Sequence, residues 1–296
     1  VLVAGLVWIV LGCRDGAAEP LPVPVGPVPA SAERIVAVGD LHGDVAQALA
    51  VLAMAGITDA EGRWIAGNTV FVQTGDVTDR GDDSRAVLAL LRRLDGEAKA
   101  EGGLVVPLLG NHEVMNVRGD WRYVSPGDLA AYGGEEARRA ALSAAGEDGA
   151  WLRSLDTVAL IGDTVFVHGG IHPRWADDGY RPLNEAVRAA MDDPAKEPPV
   201  LAEDGPLWFR GYVQDDEATA CPLLDRALAE LRARRMVVGH TTRRDGRLQV
   251  RCGGRLAVVD IGISRGYGGH LGALEIRGRD ARAVYPSGPV DLEDPP

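Results

Sequence analysis

Five short blocks hold most of the side chains that could do chemistry. They read Gly39-Asp40-Leu41-His42-Gly43-Asp44, Gly75-Asp76-Val77-Thr78-Asp79-Arg80-Gly81, Gly110-Asn111-His112-Glu113, His168-Gly169-Gly170 and Gly239-His240-Thr241. Carboxylates, an amide oxygen and neutral imidazoles suit hard or borderline divalent metals such as Mn, Fe or Zn, and no thiolate is offered beside them. The chain has six histidines, and four of them, His42, His112, His168 and His240, fall in these blocks. One Gly-Asp or Gly-His pair alone would be a turn or a cap. Five in series point to a shared metal centre. His172 and His270 lie outside the blocks and read as loop residues.

Each block ends an apolar run: 34–38, 69–74, 104–109, 164–167 and 236–238. The runs are short, continuous and rich in Val and Ile, as in strands buried on both faces. Helical stretches at 45–55, 84–99 and 221–235 lie between them. Strands alternating with helices predict an α/β core. Ligands of such sheets bind beyond the carboxyl ends of the strands, where all five blocks sit. The glycines beside the candidate ligands allow sharp turns and close backbone approach.

Composition narrows the partners. With 296 residues, 46% apolar and 25% charged, the chain can build one large core. Its formal charge of -12 excludes a basic nucleic-acid footprint. An acidic protein that handles phosphate needs local positive charge from metals or arginines.

Residues 1–12 form an apolar run too short to span a bilayer but suited to an export signal. Val10-Leu11-Gly12-Cys13 resembles a bacterial lipobox, which makes Cys13 the expected lipidation site and membrane anchor, although a basic segment ahead of it is missing. Residues 13–32 read as a spacer, with prolines at 20, 22, 24, 27 and 29 favouring an extended polyproline II form. The catalytic domain is expected over 33–288, with a tail at 289–296. The expected location is the periplasmic or cell-surface face of a membrane. Cys221 and Cys252 lack C-x-x-C spacing and do not suggest a zinc site. One disulfide and two buried thiols are both open to them.

The five blocks resemble the G-D-x-H-G, G-D-x-x-D-R-G, G-N-H-E, H-G-G and G-H-T motifs of the PPP family of metallophosphatases, in the calcineurin-like phosphoesterase superfamily. They cover residues 39–241. Leu108-Leu-Gly-Asn-His-Glu-Val-Met-Asn116 and Gly75-Asp-Val-Thr-Asp-Arg-Gly-Asp-Asp83 are most similar to the bacterial-type branch, the Shewanella-like phosphatases. Asp260-Ile-Gly-Ile-Ser-Arg-Gly-Tyr-Gly-Gly269 departs from the S-A-P-N-Y-like segment of eukaryotic members and fits that branch.

The resemblance implies a central β-sandwich flanked by helices, with a dinuclear metal site at the carboxyl ends of strands. Segments 248–252, 256–261, 273–276 and 281–285 would be strands of the second sheet. Asp40 and His42 would bind one metal, Asp76 would bridge both, and Asn111, His168 and His240 would complete the other. A hydroxide shared by two divalent ions would attack phosphorus in line. His112 would be the general acid, held by Asp79. Arg80, Asn111 and Arg210 would grip phosphate oxygens, with Arg210 the candidate from Pro206-Leu-Trp-Phe-Arg-Gly211. Arg243 and Arg244 could also face the substrate. Asp44 stands where eukaryotic members commonly have glutamine and would add negative charge near the metals. Segments 114–163 and 172–235 would form the rim that selects the substrate.

The implied activity is hydrolysis of phosphomonoesters on phosphorylated protein. The alternatives are a symmetrical dinucleotide-tetraphosphate hydrolase, a small-molecule phosphoesterase, and a binding lipoprotein without activity. Retention of every ligand and of His112 speaks against the last, because a scaffold needs no general acid.

Overall fold

The computed structural model describes residues 32–295. The expected export segment, Cys13 and the proline-rich spacer up to residue 31 lie outside the described residues. The strands are β1 (Ile35–Val38), β2 (Val70–Gln73), β3 (Leu104–Pro107), β4 (Val158–Ile161), β5 (Thr164–Val167), β6 (Arg235–Val238), β7 (Gln249–Arg251), β8 (Leu256–Val258), β9 (Ala273–Arg277), β10 (Asp280–Tyr285) and β11 (Gly288–Asp291). The α-helices are α1 (Val45–Met54), α2 (Ser84–Ala100), α3 (Asn111–Val117), α4 (Pro126–Tyr132), α5 (Glu135–Leu142), α6 (Glu147–Ser154), α7 (Arg181–Asp192), α8 (Gly211–Gln214) and α9 (Glu217–Leu231).

The strands form two mixed sheets, ordered β11-β10-β9-β1-β2-β3 and β4-β5-β6-β8-β7. Every residue of β1, β2, β5 and β6 is buried, which explains their unbroken apolar runs. β1, β2 and β3 run parallel, and so do β5, β6 and β8. Parallel neighbours deliver their carboxyl ends to one edge of each sheet, so the blocks converge. Val36 and Phe71 of the first sheet and Phe166 and Val237 of the second belong to one apolar core. The sheets meet at the site itself: His240 N–H donates to Asp40 Oδ1 (3.2 Å), and His168 Nδ1 bonds the Thr74 carbonyl (2.9 Å).

The late strands divide differently from expectation. β7 and β8 join the second sheet, but β9 and β10 join the first, where β9 pairs antiparallel with β1 (Ile276 opposite Ile35). They cover the edge of β1 that β2 leaves free, and buried backbone groups there need partners. Residues 289–291, expected in a tail, belong to β11, and Asp294 pairs with the buried Arg235 (2.6 Å).

The helix expected at 221–235 spans Glu217–Leu231 instead. Asp216 caps it by accepting from Thr219 N–H, and Arg232 ends it in the left-handed conformation (φ 53°). Cys221 in α9 and Cys252 after β7 form a disulfide, with Cα atoms 5.4 Å apart. Among the described residues no helix is long and apolar enough to cross a membrane.

Candidate active site

Asp76 lies at the centre of the cluster. Its carboxylate is shared by two groups of donors: His42 and His112 on one side, His168 and His240 on the other, with donor atoms of each group within 4.8 Å of one another. Asp40 Oδ2 stands 3.8 Å from His42 Nε2. Asn111 Oδ1 is 3.0 Å from His168 Nε2, which is also 3.2 Å from Asp76 Oδ2. All six expected metal ligands therefore gather at one place, and all six are buried.

The backbone reaches this arrangement through unusual turns. His42, Asp76, Asp79, Arg80 and His240 all have φ between 43° and 70°. Non-glycine residues rarely adopt that region, and a cluster of them marks a functional site. At two positions the neighbouring glycines allow the expected close backbone approach. A Cβ on Gly239 would come within 2.6 Å of Asp40 Oδ1, and one on Gly110 would strike the Asp76 carboxylate.

The electrostatics fit a cationic occupant. Burial, then the charges of Asp260 and Asp76, push the Asp40 pKa well above the usual carboxylate range. Burial also raises Asp76, but the surrounding His168, His112 and His42 outweigh it and hold its pKa well below normal. Burial lowers the His42 pKa to about 4 and that of His240 to about 2. Both rings are thus neutral at pH 7 and present lone pairs. His240 Nε2 is buried with no hydrogen-bond partner among the described residues. Crowded carboxylates, neutral imidazoles and an unpartnered ring nitrogen match a divalent-metal donor set.

His112 differs from the other rings. Its Nδ1 is 2.7 Å from Asp79 Oδ2, and its Nε2 is 3.8 Å from Asp76 Oδ2. Burial lowers its pKa, yet Asp76 and the Asp79 hydrogen bond more than offset that, and the net shift is upward. Arg80 is exposed and lies over the Tyr123 ring, 3.9 Å from its centroid. Arg80, Arg210, Tyr123 and Tyr267 line a cavity of about 160 Å³ above the cluster. Arg210 is fixed by Nη1, which donates to the His240 carbonyl (2.7 Å) and Thr241 Oγ1 (3.3 Å). Arg243 turns to Asp245 instead (3.4 Å). His172 caps a 3-10 turn by accepting from Arg174 N–H (3.3 Å).

Several residues escaped the sequence reading. Glu113 is buried, and its carboxylate accepts from the backbone N–H groups of Asp76, Val77, Thr78 and Gly110 and from Thr78 Oγ1, at 2.8–2.9 Å. It ties the second block to the third. Its place at the third position of α3 is the signal that a capping box gives. Asp260 is buried near Asp40, and its Oδ2 has no hydrogen-bond partner among the described residues. Tyr267 stacks on His42 with ring centroids 4.7 Å apart. Asp44 does not leave a free charge near the metal donors. It accepts from Arg265 N (2.9 Å), Nε (2.8 Å) and Nη2 (3.0 Å), and so anchors the turn that carries Tyr267.

Comparison with known proteins agrees with this geometry. The calcineurin-like phosphoesterase family model matches residues 33–244, and the chain belongs to that family. It is 38% identical to an uncharacterized protein of Schizosaccharomyces pombe, over 84% of this chain and 79% of that one. It is 30% identical to Shewanella-like protein phosphatase 2 of Arabidopsis thaliana, over 88% of this chain and 80% of that one. The crystal structure of a cold-active protein-tyrosine phosphatase from a psychrophilic Shewanella species superposes with a TM-score of 0.78 at 30% identity, covering 88% of this chain and 80% of that one. The chain is therefore a phosphoester hydrolase of the metal-dependent kind, with homologues among the Shewanella-like protein phosphatases.

Proposed function

We propose that this hydrolase removes phosphate from phosphorylated proteins, with two divalent metal ions held by Asp40, His42, Asp76, Asn111, His168 and His240. The observation that carries the reading is the Asp76 carboxylate set between Asp40 and His42 on one side and Asn111, His168 and His240 on the other, with the His112–Asp79 pair beside it. Mn, Fe and Zn all suit these donors. When bound, such a metal pair supplies Lewis acidity and an activated water.

The side chains divide the remaining work. Arg80, Arg210 and the Asn111 amide bind phosphate oxygens, with the guanidinium forks fixing orientation. Asp79 holds His112 so that Nε2 points into the cavity, and His112 gives its proton to the departing oxygen. The Asp79 hydrogen bond at Nδ1 favours the protonated ring. The names of the Arabidopsis and Shewanella relatives support a protein substrate over a small phosphoester.

We also infer export and anchoring through Cys13. The Cys221–Cys252 disulfide supports an oxidising compartment.

The test is turnover of p-nitrophenyl phosphate and of a panel of phosphoserine, phosphothreonine and phosphotyrosine peptides, with and without added Mn. Metal-dependent release of phosphate from peptides is expected. Turnover of dinucleotide tetraphosphates alone would contradict the reading.

A further inference from the structure

Behind the His112–Asp79 pair lies a buried arginine from outside the five blocks. Arg138, in α5, has a side chain only 1% exposed. Its Nε donates to Asp128 Oδ2 (3.0 Å), and its Nη2 lies 3.7 Å from Asp79 Oδ1. The guanidinium packs near the rings of Trp121 and Tyr132, 5.0 and 5.3 Å from their centroids. Its Nη1 has no hydrogen-bond partner among the described residues.

A closed ring results. Asp79 N–H donates to Ser84 Oγ (3.1 Å), Ser84 N–H donates to Asp128 Oδ1 (3.1 Å), Asp128 binds Arg138, and Arg138 faces Asp79 again. Asn116 Nδ2 adds a bond to the same Asp79 oxygen (2.9 Å). Asp79 therefore divides its carboxylate: Oδ2 serves His112, while Oδ1 accepts from Asn116 and faces the Arg138 guanidinium as an ion pair.

Structure alone does not require this arrangement. A buried guanidinium is costly to desolvate, and replacing the whole buried Arg138–Asp128 pair by apolar side chains of similar volume is often neutral for stability. Its position has a consequence for the site, because a carboxylate held on one oxygen cannot rotate away from its imidazole. A carboxylate partner sets both the tautomer and the direction of a histidine ring.

We propose that Arg138, together with Asp128, is a positioning device for the proposed general acid: it fixes Asp79 and thereby aims His112. This rests on the assignment of His112 as proton donor. It extends the working site into α4 and α5, which belong to the segment expected only to form the rim.

The experiment compares kcat on a phosphoserine peptide and on p-nitrophenyl phosphate for metal-loaded Arg138→Met and Arg138→Lys, each also in the His112→Asn background. Arg138→Met should lose about tenfold on the peptide, a part of the general-acid contribution. It should lose less than about twofold on p-nitrophenyl phosphate, whose leaving group needs little protonation. Arg138→Lys should recover part of the loss. Neither variant should add to the loss already present in His112→Asn. An equal loss on both substrates, or an additive loss in the His112→Asn background, would overturn the proposal. Should Arg138→Met fail to fold, Arg138→Lys decides: wild-type turnover of the peptide overturns it, and a loss confined to the peptide supports it. Failure of the assignment beneath it reads out separately, as a leaving-group-independent loss in His112→Asn itself.

Discussion

His112 is held by Asp79 through Nδ1 at 2.7 Å, and its other ring nitrogen faces Asp76 at 3.8 Å. Two carboxylates thus address one imidazole from opposite sides. A ring so placed can donate a proton from Nε2 while Nδ1 stays bonded. His112→Asn should lower kcat on phosphoserine by about 10²–10⁴-fold, the usual contribution of a general acid. The loss on p-nitrophenyl phosphate should be clearly smaller. Asp79→Asn should follow the same pattern with lower amplitude, since it acts through the ring. The measurement is kcat against leaving-group pKa, with metals counted in parallel. A loss that tracks missing metal would make His112 a ligand.

Glu113 offers a different kind of test. Its buried carboxylate collects four backbone N–H groups and a hydroxyl from two separate blocks. Glu113→Gln keeps the shape but places an NH₂ donor against N–H groups. Lost charge-assisted bonds of about 1.5–3 kcal/mol each, partly retained by the amide oxygen, predict a large fall in thermal stability. Metal affinity should fall with it, because Asp76 N–H loses its anchor. A variant with unchanged melting temperature and unchanged metal content would show that the Glu113 clamp is dispensable.

The disulfide closes a loop with 31 residues of sequence separation, and His240 lies inside that loop. Cys221→Ser should cost about 2–4 kcal/mol of stability, the usual range for such a crosslink. Melting of the wild type with and without reductant gives the same comparison and checks that the bond forms. Export can be checked in the same cells. Cys13→Ser should release the protein from membranes or block its processing, and a wild-type protein found in the cytosol with residues 1–12 intact would contradict the inferred anchor.

The clustering of the proposed metal donors was legible in the sequence because each is local: a short strand, a turn and a polar side chain lie within ten residues. Asp40, His42, Asp76, Asn111, His168 and His240 come together at one place for that reason. Residues that act across the fold were not legible. Asp44 looked like added charge near the metals, since its partner Arg265 is 221 positions away. Arg138 gave no signal, because an arginine in a charged helix reads as solvated until Asp128 and Asp79 are seen to enclose it. The assignment of β9 and β10 to the second sheet failed for a related cause. Strand identity follows from local pattern, but sheet membership depends on which edge needs covering, and that is a property of the assembled core.

In the proposed mechanism two metal ions would share Asp76, and catalysis would need both. It is tested most directly by stripping the protein of metal and titrating Mn into the metal-free form while following turnover of p-nitrophenyl phosphate. Activity should be absent at the start and should saturate at two ions per chain. Asp76→Asn, which removes the shared charge, should stay at least about a hundredfold below wild type at any metal level, as expected for loss of a strong electrostatic catalyst. Full activity at one ion per chain, or wild-type turnover by Asp76→Asn with two ions bound, would contradict the account.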